Sequence, residues 1–251
     1  MSESHESRLG RLYRVLYDGL CGRHPNLFPW HFQFLDCYYL YRSLRKHLAA
    51  CSGVILDVGC GEKPYQDWFG KVDRYIGIDT YAGAKVDFVI DGRTAWPLPD
   101  ESVDVVVCTQ VLEHVEDLAM TLGEIRRVLR PGGTAVLSFP FIFNEHGAPY
   151  DFRRFSAYGA ERLFPDWRLV CLERQGGIGS TLIILLFNYI ETAMNQYKIT
   201  RLLKGAILPL WMGIALLGNL LGLLGDRLDG TGNFYNNILA VYSKTARDDN
   251  C

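Results

Sequence analysis

The chain has 251 residues, 49% of them hydrophobic and 22% charged, with a formal net charge of −2 at pH 7. That length buries a full core in one domain with elaborations, and the near-balanced charge gives no electrostatic footprint for nucleic acid. The seven cysteines (Cys21, Cys37, Cys51, Cys60, Cys108, Cys171 and Cys251) are scattered and form no C-x-x-C pair; they argue against a disulfide framework or a zinc site, no metal is expected, and reduced thiols in the cytosol are.

Residues 1–50 read as helices. Met1–Arg14 is polar and carries Arg8, Arg11 and Arg14, so no secretory signal is expected there. Leu9, Leu12, Tyr13, Leu16 and Tyr17 recur at helical spacing, and Gly22, Pro25 and Pro29 punctuate the break that follows. Trp30–Leu48 then concentrates rings: Trp30, Phe32, Phe34, Tyr38, Tyr39 and Tyr41. They fit a cap packed over the cleft of a following sheet, or an acceptor pocket or membrane-facing surface lined by aromatics.

Val54–Tyr65 reads VILDVGCGEKPY. A continuous apolar run entering Gly59-Cys60-Gly61 is how a buried parallel strand meets a nucleotide-binding loop, and a ligand that touches backbone there leaves no room for a Cβ. A second strand, Arg74–Asp79, closes on an acid placed to accept both ribose hydroxyls of an adenosine; a short helix over Pro64–Phe69 is expected between them. The dinucleotide fingerprint wants a third glycine, and Pro64 stands there, after Glu62 and Lys63. An acidic loop repels a diphosphate. It suits a nucleoside with a positive centre, S-adenosylmethionine, whose sulfonium and ammonium groups would be drawn to Asp57 and Glu62.

Val86–Ile90 is a short third strand ending in Asp91-Gly92, a turn dipeptide. Ser102–Cys108 is the buried fourth, and Thr109, Gln110 and Val111 leave its carboxyl end, where open α/β sheets bind ligands. Leu112-Glu113-His114-Val115 is expected to open the next helix, with His114 on the cofactor side. Leu122–Leu129 is amphipathic, and Arg130-Pro131-Gly132-Gly133 stops it before strand five, Thr134–Phe139.

The ordered set D-V-G-C-G (Asp57–Gly61), Asp79, Asp91-Gly92, Pro97–Asp100, Ser102–Val107, Leu112–Val115 and Leu129–Gly133 resembles class I S-adenosylmethionine-dependent methyltransferases, of the type 11 kind, over residues 50–175. The resemblance implies an α/β, Rossmann-like doubly wound sheet of seven strands with an antiparallel last strand, and S-adenosyl-L-methionine as cofactor. It implies that Asp57, Gly59, Cys60, Gly61, Asp79, Asp91, Gly92, Gln110 and His114 form the cofactor site, Asp91 reaching the adenine amine.

Phe141–Phe155, FIFNEHGAPYDFRRF, follows strand five and sets Glu145, His146, Asp151, Arg153 and Arg154 among rings. Methyl transfer is an in-line displacement, so alignment of the acceptor supplies most of the rate. A hydroxyl acceptor also needs a base, and a histidine suits that work. His146 is the first candidate, with Asp151 or Glu145 as its orienter or substitute; Asp151 and the arginines would equally pin the loop as ion pairs. The H-x-x-P-x-D-F-x-R-F run is similar to one in bacterial methyltransferases of surface polysaccharide and glycolipid pathways.

Trp167–Glu173 would be strand six and Asn236–Lys244 the antiparallel seventh, with an apolar helical insertion between them. Gly179–Ile199 places Leu182, Leu185, Leu186, Tyr189, Ile190, Ala193 and Tyr197 on one face, and Gly205–Gly225 is uncharged throughout. A helix apolar all round is deeply buried or in lipid. Because strands six and seven share one sheet, the insertion must return to the side it left. Glu191 makes a spanning first helix costly, so a re-entrant or surface-lying hairpin over residues 180–225 is expected, flanked by Lys198, Arg201, Lys204 and Arg227. A soluble lid or a homodimer interface would hide the same surface. Gly218 and Gly222 form a G-x-x-x-G.

The expected organisation is a helical cap (1–50), a methyltransferase core (51–176), an apolar hairpin (177–234) and a last strand with tail (235–251). The expected activity is O-methylation of a lipid, lipid-linked glycan or other apolar acceptor by a cytoplasmic protein, peripheral or re-entrant at the inner membrane face. The alternatives are methylation of a quinone or other small molecule, and a silent cofactor-binding scaffold that recruits partners through the hairpin.

Overall fold

The computed structural model describes residues 8–246. Cys251 and the side chains of Arg8, Leu9, Leu12, Lys198 and Arg201 lie outside the described residues. The chain divides into two compact units: a sheet unit of Arg42–Phe141, His146–Gln175 and the chain from Asn237, and a helical unit of the chain up to Tyr41, Ile142–Glu145 and Gly176–Asn236.

The sheet unit holds β1 (Gly53–Val58), β2 (Val72–Asp79), β3 (Phe88–Val89), β4 (Val103–Thr109), β5 (Leu129–Pro140), β6 (Arg168–Gln175) and β7 (Asn237–Ser243). They lie in the order β3-β2-β1-β4-β5-β7-β6, with β1 to β5 parallel and β7 antiparallel to both its neighbours. Parallel strands are covered on both faces and therefore read as unbroken apolar runs. Ile55, Leu56, Val105, Val106 and Val107 are accordingly buried. The strand order reverses between β1 and β4, so their carboxyl ends flank the crevice where such sheets take ligands.

Three local expectations are corrected. The Pro64–Phe69 helix is a single 3₁₀ turn, Gln66–Trp68, preceded by Lys63 in a left-handed conformation (φ 53°). Leu112–Val115 does not start a helix; the chain turns there, and α3 (Leu118–Val128) begins after Asp117, whose side chain accepts the Met120 amide at 2.9 Å. The segment Arg130-Pro131-Gly132-Gly133 lies inside β5, where a register shift and the left-handed Gly132 (φ 78°) absorb it.

The helical unit contains α1 (Arg8–Cys21), the start of α2 (Phe34–Leu48), α5 (Ile178–Gln196), α6 (Lys198–Ala206) and α7 (Leu208–Leu228); the sheet unit has the short α4 (Ala157–Ala160). The insertion is thus three helices rather than a hairpin of two. α7 buries Leu208, Trp211, Ala215, Gly218, Asn219 and Gly222, one stripe at helical spacing. Phe187 of α5 fills the space at Gly218, where a Cβ would lie 2.4 Å from the ring, and Gly179 packs backbone to backbone on Gly222 and Gly225. The G-x-x-x-G is therefore a packing site. On α5 Ser180, Thr181, Ile184 and Phe187 are buried, whereas Leu182, Leu186 and Tyr189 of the apolar face read from the sequence are exposed. Lys204, 7% exposed, pairs with Glu191 and donates to Asn195 at 3.1 Å.

Candidate functional site

The loop after β1 is built on glycine. Gly59 (φ 70°) has no room for a side chain, since a Cβ would meet Val111 at 2.4 Å, and its N–H donates to the Ile78 carbonyl at 2.8 Å. Gly61 (φ 46°) faces open space instead and donates its N–H to Asp79 Oδ2 at 3.0 Å. Asp79 Oδ1 accepts the Tyr81 amide at 3.2 Å. These two bonds fix the carboxylate at the lip of the loop and leave lone pairs on both oxygens. The pairing is one that two vicinal hydroxyls of a ribose satisfy, so the loop and Asp79 fit the adenosine half of S-adenosylmethionine.

The other expected cofactor residues fall into different surroundings. Asp57 lies beneath the loop, 1% exposed, and accepts the Tyr75 hydroxyl at 2.6 Å; burial pushes its carboxyl up to about 7. Cys60 is buried, with its thiol pushed up to about 12 by burial, so it packs the loop. Asp91 is exposed, and its Oδ1 accepts the amides of Arg93 and Thr94 and the Thr94 hydroxyl, each at 2.9 Å. That is the turn its sequence suggested, and Oδ2 is the oxygen left for a ligand. Gly92 (φ 70°) completes that turn. Gln110 is left-handed (φ 55°) at the carboxyl end of β4, its N–H bonded to the Ser138 carbonyl at 2.8 Å. Lys63, which sequence reading set in the loop, is withdrawn from it: its ammonium reaches Asp87 at 2.6 Å, and the same carboxylate accepts the Gly77 amide at 2.7 Å.

Beyond the β4 end, the turn 112–116 and the segment 146–154 are stitched together. Arg153 donates to the carbonyls of Leu112 (3.1 Å), Glu116 (3.2 Å) and Val115, and the Phe152 amide donates to the Glu113 carbonyl at 2.9 Å. This brings His146 and His114 together, Nε2 to Nε2 at 3.1 Å with rings at 79°. His114 donates its Nδ1–H to the Tyr150 carbonyl at 2.5 Å, which fixes its tautomer. Gly147 (φ 69°) lies so close to the His114 ring that a Cβ would sit 3.0 Å from Cε1. Asp151 accepts Arg154 at 2.5 and 2.8 Å and the His146 amide at 2.8 Å, and the Arg154 guanidinium holds its carboxyl well below the usual range. Asp151 Oδ2 also lies 3.5 Å from His146 Nδ1, within reach to orient the ring. Glu145 is exposed and groups with the helical unit.

The residue that sequence reading passed over is Glu113. It is 0% exposed, neither carboxylate oxygen has a hydrogen-bond partner, and burial pushes its pKa up to about 7. Its Oε1 lies 3.8 Å from His114 Nε2 and 4.0 Å from His146 Nε2. The signal was an acid and a histidine side by side between the apolar Leu112 and Val115.

Residues 56–137 match the family model of a methyltransferase domain. A probable S-adenosylmethionine-dependent methyltransferase of Mycolicibacterium smegmatis is 43% identical over 126 residues, 46% of this chain and 48% of the relative. The chain thus aligns with about half the length of that curated relative. Among solved structures, the [4+2]-cyclase SpnF superposes with a TM-score of 0.54 at 17% identity, over 84% of this chain and 83% of that one. A phosphoethanolamine N-methyltransferase of Haemonchus contortus in complex with S-adenosyl-L-methionine gives 0.51 at 14%, over 98% and 61%. At these identities the superpositions establish the fold alone.

Proposed function

We propose that this chain, whose sheet unit is a class I S-adenosylmethionine-dependent methyltransferase domain, transfers the cofactor's methyl group to a hydroxyl of a lipid, lipid-linked glycan or other apolar acceptor at the inner face of the membrane. Gly59, Gly61 and Asp79 hold the adenosine end, and the cofactor when bound supplies the electrophilic methyl. The segment 146–154 aligns the acceptor, and His146, oriented by Asp151, takes the hydroxyl proton.

The observation that carries the membrane part is the outer surface of the helical unit. Leu210, Leu217, Leu221, Leu224 and Leu228 are between 50% and 79% exposed along α7, as are Leu182, Leu186 and Tyr189 on α5. Soluble monomers rarely expose so many contiguous large apolar side chains. α7 is, among the described residues, the one helix long and apolar enough to cross a membrane, but the glycine contacts hold it against α5, which the buried Lys204–Glu191 pair in turn joins to α6. The helices therefore lie against lipid as a packed group, apolar side outward.

Incubation of the purified full-length protein with methyl-labelled S-adenosylmethionine and a total membrane extract tests the reading. Label is expected in the organic-soluble fraction. Mass spectrometry of the labelled product is expected to give a lipid or lipid-linked glycan; a labelled quinone or other small apolar molecule moves the acceptor class, and no transfer to any fraction removes the activity.

A further inference from the structure

Glu113 is an anomaly: a carboxylate with 0% exposure and both oxygens unsatisfied. Burying such a group costs several kcal/mol unless something compensates for it. What faces it is a pair of imidazole nitrogens. His114 Nε2, His146 Nε2 and Glu113 Oε1 form a triangle with edges of 3.1, 3.8 and 4.0 Å. A triangle with these edges has a point about 2.1 Å from all three corners, the length of a bond from a first-row divalent cation to imidazole nitrogen or carboxylate oxygen.

We propose that Glu113, His114 and His146 form a mononuclear site for a first-row transition-metal dication. The outer contacts are those such sites use to orient their ligands. His114 donates its far N–H to the Tyr150 carbonyl, which leaves the Nε2 lone pair directed at the triangle. His146 Nδ1 lies 3.5 Å from both Asp151 Oδ2 and Arg154 Nη2; the tautomer that donates Nδ1–H to the carboxylate leaves the Nε2 lone pair for the ion. Gly147 and the Arg153 bridge fix the two segments against each other. An ion at that point has its three protein ligands around it in one plane and both faces open for water or a substrate oxygen, as in catalytic rather than structural sites. A hydroxyl bound there would lose its proton more readily, and His146 would then be a ligand in place of a base. The second histidine-containing cluster of the sheet unit, His47, Cys171 and Glu173, is a poorer candidate because its carboxylate is already satisfied, Glu173 Oε1 meeting His47 Nε2 at 2.8 Å and the Cys171 thiol at 3.5 Å, whereas both oxygens of Glu113 lack a partner.

The proposal stands on the sheet unit alone and needs neither acceptor nor cofactor, so it can fail while methyl transfer holds, and the reverse. The test is titration of the metal-stripped, full-length protein with cobalt(II), read by its visible ligand-field bands and by calorimetry. One equivalent is expected to bind with low-coordinate bands, to weaken at least tenfold in His146→Ala and in His114→Ala, and to persist in Cys171→Ala. Should His114→Ala misfold by circular dichroism, the half-buried His146 carries the comparison. Absence of binding at micromolar cobalt, binding that survives the His146 substitution, or binding lost in Cys171→Ala each overturns the site.

Discussion

Asp79 makes two bonds to loop amides and keeps acceptor capacity on both oxygens, so its removal should cost ligand binding more than folding. Asp79→Ala is expected to weaken S-adenosylmethionine and its demethylated product about 10- to 100-fold, the loss of one or two hydrogen bonds to a charged group. Calorimetry showing an unchanged Kd would displace Asp79 from the site. His146→Ala should instead lower turnover on the order of 100-fold with cofactor affinity preserved; unaltered turnover removes His146 from the mechanism. A different histidine makes an acid-sensitive contribution to stability. His31 is 5% exposed, accepts the Gln33 amide on Nδ1 at 3.0 Å, and burial lowers its pKa from 6.5 to about 4. Between those values the unfolded chain binds the extra proton and the folded one does not. The contribution of His31 to stability therefore falls as pH drops from 6.5 to 4, by up to about 3 kcal/mol, and levels off below that, while the buried carboxyls of Asp57 and Glu113, raised to about 7, contribute with the opposite sign over the same range. The difference in stability between the protein and His31→Gln, read from urea midpoints, should shrink along this slope as pH falls; a difference that does not change with pH would show that His31 makes no such contribution.

At the scale of elements, α5 and α7 approach closely because glycines let them. Gly218→Leu forces a side chain into the Phe187 ring and should destabilise the protein by about 1–3 kcal/mol or more, read as a lowered urea midpoint; an unshifted midpoint would mean that the helices part at no cost. The strands were legible from sequence, because a parallel strand buried on both faces shows as an apolar run whatever its partner, as Val54–Val58 and Val103–Val107 do. Asp79 was legible because its place follows from a strand end. The composition of α5 was also plain, but not its inward side: Leu186 and Phe187 are both large and apolar, and the space at Gly218 of α7 receives Phe187 while Leu186 stays exposed. Glu113 was obscure for a related reason. Its turn is held by Phe152 and Arg153, about forty positions away, and no local pattern announces a contact of that range.

At the scale of the whole molecule, a catalytic sheet and an apolar helical group share one chain. Flotation of the full-length protein with vesicles containing anionic lipid should recover it in the lipid fraction, and Leu217→Glu with Leu221→Glu should return it to the aqueous one. Recovery in the aqueous fraction before any substitution contradicts lipid docking; a concentration-dependent dimer there would assign the leucine surface to a second copy. The sheet has a further property, set by β7, which lies between β5 and β6 and is the last of the seven to be made. While a ribosome is still adding residues before Asn237, β6 has no neighbour in the sheet and β5 presents a bare edge. Every emerging polypeptide must hold those open ladders through the synthesis of three leucine-rich helices before the gap closes. Premature termination inside the insertion therefore yields a sticky fragment for the cell's proteases rather than a smaller working enzyme.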